Sequence, residues 1–340
     1  MGEVADARHP ASIRDVARVA GVSHQTVSRV INAHPSLRPE TRDRVLAAIE
    51  QLQYQPNRLA QALGANLSRT IGVLAYGRSH YGPGAAIEGV ESAAQAAGYV
   101  VNTTNLTSNT PPAISAALDL QRAHRVEGLV IIAPQVSVLR AIDQLGLDLP
   151  HVMLHELPSE RVTERGRHAL FVDQVAGARA AVGHLRALGH HDIYHVAGPS
   201  EWIEAEARMQ GYLDEMIEGD EPVIAPVLGD WTSEFGYYAG RELARTADFT
   251  AVFAANDQMA LGLVHAFRDA GLDVPGDVSV VGFDDVPEAA HYWPPLTTVR
   301  QDFAELGRRS VARLLGPDNL VDLPIAPQLV VRGSTAPPRP

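Results

Sequence analysis

Residues 12–32 read SIRDVARVAGVSHQTVSRVIN, and this stretch decides the fold of the N-terminal domain. Ser12 and Asp15 have the spacing of a capping box, and apolar residues recur behind them at helical spacing. Gly21 can end this first helix, and Ser23 offers a new N-cap only two residues later. The pattern predicts two short helices that are joined by a very tight turn.

A third helix follows the first two and completes a small helical domain. The second helix, residues 24–31, carries Val27 and Val30 on its inner face, and Pro39 suits the first turn of the third helix. The apolar stripe of that third helix includes Val45. Three short helices therefore share one small core, which is the arrangement of a helix-turn-helix domain.

The second helix has a polar face whose side chains suit the edges of DNA bases. In helix-turn-helix proteins this helix lies in the major groove, with its N-terminal residues on the bases. Gln25 can pair with adenine and Arg29 with guanine, while Ser23 and the helix N-terminus can hold a phosphate. A polar face that meets only solvent is the plain alternative. The pattern favours sequence-specific DNA binding.

The composition agrees with this interpretation and excludes several classes of protein. The net charge of the 340 residues is −12, but residues 1–70 carry +3 and the remainder −15, so the front of the chain suits phosphate. The chain has no cysteine, which excludes disulfides, thiolate catalysis and cysteine-type zinc sites. No apolar run follows Met1, and no apolar stretch of about 18 residues occurs later, so we expect a cytoplasmic protein with no membrane partner.

After residue 70, apolar strand candidates alternate with helical segments. This alternation is typical of parallel α/β sheets, and a segment of this length has room for two lobes with a cleft between them. We therefore predict an α/β core of doubly wound parallel sheets. The strand candidates are residues 71–76, 99–104, 128–133, 151–155, 169–173, 193–198, 251–256 and 278–284.

The head is similar to that of a known family. SIRDVARVAGVSHQTVSRVIN, followed by TRDRVLAAIEQLQYQPNRLAQAL at residues 41–63, resembles the DNA-binding head of the LacI/GalR family of bacterial repressors. The later stretches FAANDQMALG, DVSVVGFDDV and PPLTTVRQDFAELG resemble the core of the same family. The resemblance implies a hinge helix after the head and a two-lobed core like that of periplasmic binding proteins. Arg38 is a departure, because this family commonly has serine there, and we expect it to contact phosphate.

The hinge is expected at residues 57–64, a brief helix that Gly64 would end. A helix of this length is too short to be stable alone in water. The resemblance implies that it pairs with its copy in a second subunit and enters the minor groove, with Leu63 wedged into a base step. The expected DNA-contacting residues are Ser23, His24, Gln25, Thr26, Ser28, Arg29, Asn32, Arg38, Tyr54, Asn57, Arg58, Ala60 and Leu63.

These observations divide the chain into segments. We expect a helix-turn-helix domain at residues 1–56, a hinge helix and linker at 57–69, an effector-binding and dimerisation core at 70–335 and a disordered tail at 336–340. Within the core, the N-subdomain is expected at about residues 70–170 plus 301–332, and the C-subdomain at about 171–300.

Polar residues follow several of the predicted strands, as they do where ligands bind in doubly wound sheets. The resemblance implies that the set contacts a small-molecule effector, with the loop at residues 80–83 closing the site from the other lobe. Amides, charged groups and aromatic faces together suit a sugar. His155 departs from the acid that some sugar-responsive members carry. The expected effector residues are His80, Tyr81, Pro83, His155, Arg208, Trp231, Asn256, Asp284, Gln301 and Phe303.

Two other patterns suggest cofactors or metals but do not hold. Residues 82–87 begin like a dinucleotide fingerprint, but the third glycine is missing and Pro83 disturbs the turn. The histidines at 184, 190, 191 and 195 have no spacing that forms one ligand face, and capping of a helix end explains them better. We expect neither a cofactor nor a metal.

The sequence therefore predicts a homodimeric repressor that binds a near-palindromic operator and releases it when a small saccharide binds the core. A purine or another non-sugar effector that acts as corepressor is the alternative. A dimer is expected rather than a tetramer, because the chain ends in a proline-rich segment instead of a leucine-rich helix.

Two other classes of protein compete with this prediction. A solute-binding protein for transport would need a signal sequence and no DNA-binding head. A sugar-active enzyme would need Asp284 and Asp285 as its acid and base, but neighbouring residues on an extended segment point to opposite faces. We expect no enzymatic activity.

Overall fold

The computed structural model describes residues 11–31, 37–54, 68–155, 169–246, 249–316 and 323–339. The chain forms two compact units, Met1–Ser68 and Arg69–Pro340. Within the described ranges, no helix is both long and apolar enough to cross a membrane.

The first unit contains the three predicted helices, α1 (Ile13–Ala20), α2 (His24–Ile31) and α3 (Pro39–Gln51). The capping box at the start of α1 is formed, since the Ser12 amide donates to Asp15 Oδ2 at 3.0 Å and Ser12 Oγ accepts from the Asp15 amide. The prediction of a three-helix head is confirmed. Its core consists of buried small and branched side chains, chiefly Val16, Ala17, Ala20, Val27, Val30, Val45 and Ala48.

The tight turn between α1 and α2 depends on Gly21 and Ser23. Gly21 has φ 63°, a left-handed conformation that favours glycine, and its amide bonds to carbonyls at the end of α1. Ser23 Oγ then accepts from the Thr26 amide at 3.1 Å, which caps α2 as predicted. The predicted hinge helix, Leu63 included, lies outside the described residues.

The second unit has two lobes, each built on one sheet. The N-terminal lobe contains a parallel sheet of five strands in the order β2-β1-β3-β4-β5. Its elements are β1 (Thr70–Tyr76), α4 (Tyr81–Ala96), β2 (Val100–Leu106), α5 (Pro111–Ala123), β3 (Gly128–Ile132), α6 (Val136–Leu145), β4 (His151–Leu154) and β5 (Ala169–Leu170).

The C-terminal lobe contains a six-stranded sheet in the order β11-β10-β9-β8-β6-β7, parallel except for β11 against β10. Its elements are α7 (Gln174–Ala187), β6 (Ile193–Ala197), α8 (Ile203–Glu218), β7 (Val227–Leu228), α9 (Ser233–Thr246), β8 (Ala251–Ala254), α10 (Asp257–Asp269), β9 (Ser279–Asp284), a 3₁₀ helix (Pro287–His291), β10 (Thr297–Arg300) and β11 (Gln328–Val330). The predicted doubly wound α/β architecture is confirmed.

The chain passes between the lobes three times, and the third passage differs from the prediction. After β10, helix α11 (Phe303–Leu315) packs on α4, and a Cβ on Gly307 would lie 2.1 Å from the backbone of Gly89. Ile325 then pairs with Val172 in the N-terminal lobe, but β11 pairs with β10 in the other lobe. The expected return segment 301–332 therefore ends near residue 327, because β11 completes the edge of the C-terminal sheet.

The expectation of a disordered tail at residues 336–340 is wrong for the four residues that are described, 336–339. The Ala336 carbonyl accepts from Ser279 Oγ at 3.0 Å and lies 2.9 Å from His190 Nε2, and the Ala336 amide donates to Ser279 Oγ. Arg339 forms an ion pair with Asp277. Side chains of the C-terminal lobe thus satisfy the tail's polar groups. The sequence suggests that His190 caps a helix end. In the structure this histidine instead contacts the tail.

The most deeply buried histidine of the cluster is His195, on β6. Its ring stacks on Phe253 at 4.6 Å between centroids, and its Nδ1 lies 3.0 Å from the Phe253 carbonyl. Burial lowers the pKa of His195 to about 4, so the ring is neutral in the folded protein at pH 7.

We predict a loss of stability in acid that depends on His195. Between pH 6.5 and 4 the unfolded chain binds a proton that the folded chain excludes, so the free energy of unfolding falls by ~3 kcal/mol over this range. We expect His195→Phe to reduce the difference in the free energy of unfolding between pH 7 and pH 4 by about this amount, as measured by urea denaturation. His191→Phe, at an exposed site, is the control, and an unchanged difference in His195→Phe would contradict the burial argument.

Candidate functional site

The cleft between the two lobes of the second unit brings the predicted effector residues together. It contains about 740 Å³ of empty space, a figure that includes its open mouth. All ten predicted residues line it: His80, Tyr81, Pro83, His155, Arg208, Trp231, Asn256, Asp284, Gln301 and Phe303.

The segment at residues 80–83 contributes to the cleft as predicted, but it is not a loop. His80 is the N-cap of α4, and Tyr81 and Pro83 stand in the first turn of that helix. The sequence HYGPG suggested a loop because glycine and proline disfavour helix interiors. The amides of a first turn have no partner within the helix, so proline is tolerated there.

A closed ring of four buried polar side chains forms one wall of the cleft. Arg208 Nε donates to Gln174 Oε1 at 2.9 Å, and Gln174 Nε2 donates to Gln301 Oε1 at 2.8 Å. Gln301 Nε2 donates to Asp284 Oδ1 at 2.7 Å, and Arg208 Nη2 lies 3.4 Å from the same oxygen. We call these four residues the polar ring. Each bond fixes a neighbour, so the ring is held in position before any ligand arrives.

Asp284 occupies a strained and electrostatically balanced position in the polar ring. Its φ of 108° is rare for a residue with a side chain and is maintained by the surrounding contacts. Burial raises the pKa of Asp284, whereas Arg208 and the hydrogen bond from Gln301 oppose that rise. The neighbouring Asp285 does not line the cleft, because it is paired with Arg300 and Arg332 at 2.6 Å each. This separation disfavours an acid and base pair of Asp284 and Asp285.

Aromatic side chains form a second wall of the cleft, which adjoins the polar ring where Arg208 Cζ lies 5.5 Å from the centroid of the Trp231 ring. The ring of Trp231 meets the ring of Trp202 edge to face at 5.6 Å, and Trp202 meets His80 at 5.1 Å. Tyr81 packs in the same way on Phe303 at 6.1 Å. This aromatic wall therefore offers apolar faces beside the polar ring, which is a combination that binds amphipathic ligands.

Asn256 acts on the cleft mainly through Trp231. Its Nδ2 donates to the Trp231 carbonyl at 3.0 Å, and its Oδ1 caps α10 by accepting from the Met259 amide at 2.9 Å. The hydrogen bond to Trp231 supports a residue whose φ is 72°. In the structure Asn256 is thus a positioning residue for the tryptophan.

The predicted DNA-reading face is present on α2 of the first unit. His24, Gln25 and Arg29 are exposed, on the side of the helix away from the buried Val27 and Val30. The structure also describes five further residues that are expected to contact DNA. Ser23 and Arg38 are exposed, and Thr26 and Ser28 are half-buried. Tyr54 packs against the helical core. Arg38 makes no capping bond to α3. Asn32, Asn57, Arg58, Ala60 and Leu63 lie outside the described residues.

Comparisons with known proteins agree with both parts of the chain. Residues 12–57 match the model of the bacterial regulatory proteins, lacI family, and residues 182–335 match a periplasmic binding protein-like domain. The lactose operon repressor of Escherichia coli (strain K12) is 36% identical over 310 residues, which are 90% of this chain and 84% of that protein. This chain belongs to the LacI family.

Two further matches extend the likeness over nearly the whole chain. The transcriptional repressor PurR of Haemophilus influenzae (strain PittEE) is 31% identical over 338 residues, covering 95% of this chain and 98% of that one. The crystal structure of the lac repressor dimer bound to operator and the anti-inducer ONPF superposes with a TM-score of 0.85 at 33% identity, over 96% of this chain and 100% of that one. These relatives are named as repressors and not as enzymes.

Three residues of this LacI-family cleft escaped the sequence analysis: Gln174, Trp202 and Glu204. Gln174 opens α7 just beyond β5, and the two others stand at the start of α8, beyond the end of β6. The rule that ligands bind beyond the carboxyl ends of strands, which found Asp284, applies to them too. These three positions carry no sequence motif.

Glu204 is the most unusual of the three. Its Oε2 is fully buried and has no hydrogen-bond partner in the described part of the protein. Burial raises the pKa of Glu204 to about 7, against the opposing influences of a hydrogen bond from its own amide and of Arg208 one helical turn away. The apolar parts of the cleft come from both lobes and include Ile132, Pro134, Leu154, Leu170, Phe171, Val172 and Leu306.

Proposed function

We propose that this LacI-family regulator is a homodimeric repressor that holds a near-palindromic operator and releases it when a small saccharide binds the cleft. The observation that carries the saccharide part is that the polar ring and the aromatic wall line the same cleft. A location in the cytoplasm, where the chromosome lies, is part of the same proposal.

The polar ring has hydrogen-bonding capacity left for hydroxyl groups. Both hydrogen bonds to Asp284 reach Oδ1, and none of the described residues bonds to Oδ2. Arg208 uses Nε, Nη1 and Nη2 on Gln174, the Ala255 carbonyl and Asp284, and a guanidinium has five N–H groups. A carboxylate oxygen beside remaining guanidinium donors suits two vicinal hydroxyls.

The aromatic wall complements this chemistry. A pyranose ring has one face of C–H groups, which packs on aromatic rings, and an edge of hydroxyls, which needs polar partners. Trp231 and Phe303 supply the first, and Asp284 and Arg208 supply the second. A flat purine is a poorer fit, because Trp202 and Trp231 meet at 71° and form no parallel slot. The likeness to PurR nevertheless keeps a purine corepressor as the competing effector.

The operator part of the proposal rests on α2 and on the likeness to the operator-bound lac repressor dimer. One small head buries little DNA, so two tethered heads are needed for tight binding. We assign base reading to Gln25 and Arg29. For Leu63 we propose the role of a minor-groove wedge, which would hold the two halves of the operator complex together.

We predict that Arg29→Ala weakens binding to operator much more than binding to unrelated DNA. The operator is first selected from random duplexes with the wild-type chain, and affinities are then measured by fluorescence anisotropy. Loss of one guanine contact corresponds to ~1–3 kcal/mol, or about 5- to 150-fold. Arg14→Ala, which removes an exposed arginine from α1, is the matched control. Equal losses on both DNAs would contradict base reading by Arg29.

We also predict that a mono- or disaccharide stabilises the chain and releases the operator. At 100 times its dissociation constant a ligand adds about 2.7 kcal/mol of stability, which a thermal shift detects. Anisotropy of labelled operator in the same titration gives the sign of the response. A different result would support the corepressor alternative instead of the saccharide proposal. In that case purine bases stabilise the chain and tighten its binding to the operator, and no sugar has an effect.

A further inference from the structure

Glu204 is the acid of the cleft whose carboxylate has one oxygen without a hydrogen-bond partner among the described residues. Its buried Oε2 lacks a hydrogen-bond partner, and the arginine nearest along α8, Arg208, forms its ion pair with Asp284 instead. A buried carboxylate without a partner is costly unless a donor or a cation completes it. The cleft therefore contains one buried acceptor, Glu204 Oε2, that has no donor among the described residues.

The cleft as a whole has an excess of negative charge. Among the described residues that line it, Asp284 and Glu204 are acidic and Arg208 is the single arginine. Burial lowers the pKa of His80, so this histidine adds no charge near pH 7. The pKa of Tyr81 is raised to about 12, mainly by burial and in addition by the negative charges of Asp284 and Asp257.

Aromatic faces line the same cleft as Glu204. Trp202 precedes Glu204 by two residues and lines the cleft with Trp231. Both tryptophans are less than a tenth exposed. Trp faces attract cations, and the attraction is strongest where water is excluded. An acid and aromatic rings around one cavity are a recognised means of holding an ammonium group.

We propose that Glu204 receives a protonated amino group of the effector, which makes the effector an amino sugar. This inference rests on the proposed saccharide function. The amino group donates to Glu204 Oε2, while hydroxyls of the same ring use Asp284 and Arg208. The ion pair forms only when the ligand is bound, so Glu204 selects amino sugars over neutral ones.

A first test needs no ligand. If the buried Oε2 of Glu204 lacks a donor, Glu204→Gln replaces a costly carboxylate by a neutral amide and raises the melting temperature of the ligand-free full chain by a few degrees at pH 8. Glu206→Gln, on the exposed side of the same helix, is the matched control and leaves the melting temperature unchanged. A lower melting temperature in Glu204→Gln would show that the carboxylate already has a structural partner, and would overturn the proposal.

The second test compares sugars that differ at one substituent. Titration calorimetry with the full chain uses glucose, glucosamine and N-acetylglucosamine, the corresponding galactose series, and cellobiose with its diamino and di-N-acetyl analogues. At least one of the amino sugars is expected to bind about tenfold or more tightly than its neutral parent sugar, because hydrogen bonds between charged groups are stronger than those between neutral groups. Glu204→Gln abolishes this preference, and Glu206→Gln retains it.

The outcomes separate this inference from the proposed function. If neutral or acetylated sugars bind as tightly as the amines, the amino-sugar inference fails and the saccharide proposal stands. A preference for amines that persists in Glu204→Gln overturns the role of Glu204. If none of these sugars binds, both the inference and the saccharide proposal are overturned.

Discussion

The buried contact between Arg208 and Asp284 is the interaction on which the cleft between the lobes depends. Neither charge could lie in the interior alone, since an unpaired buried ion costs several kcal/mol. Gln174 and Gln301 complete the pair by bonding to both members and to each other. The ring therefore requires that the ends of β9 and β10 and the starts of α7 and α8 meet at one place.

The fold brings these ends together because parallel strands present their carboxyl ends on one edge of a sheet. β9 ends at Asp284, and Gly282 just before it has no room for a side chain, since a Cβ there would lie 2.2 Å from Asp257. α11 and β11 then continue from this edge into different lobes. The lobes are thus linked by chain segments that pass close to the polar ring, so a ligand that contacts both lobes can change their relative position.

Local signals in the sequence predicted the head almost completely. Ser12, Gly21, Ser23 and Pro39 each act at a helix end, through contacts within a few residues, and the structure confirms the helices that they bound. Eight strands of the core were also predicted, most of them because buried parallel strands are continuous apolar runs; β2, which reads VVNTTNL, is only partly buried. The strands that were missed, β7, β10 and β11, are only two to four residues long and carry no such run.

The remaining differences depend on contacts between residues that are far apart in sequence. The tail at 336–339 is ordered by Ser279 and His190, which no local pattern connects to it. The cleft residues with a known motif were placed correctly, whereas Glu204, which has no motif, became visible only through its missing partner. Sequence patterns thus predicted residues that share one cleft, but the hydrogen bonds and charges inside it required three-dimensional positions.

The most direct measurement of the central claim is operator release by the Asp284→Asn variant. The full-length wild type and variant are titrated on labelled operator with the saccharide that gives the largest thermal shift. The account predicts operator affinity within about twofold of wild type, and a requirement for at least about tenfold more saccharide for half-release, since a charged hydrogen bond to the sugar is lost. Coincident release curves for the two proteins would contradict the assignment of the polar ring as the effector site.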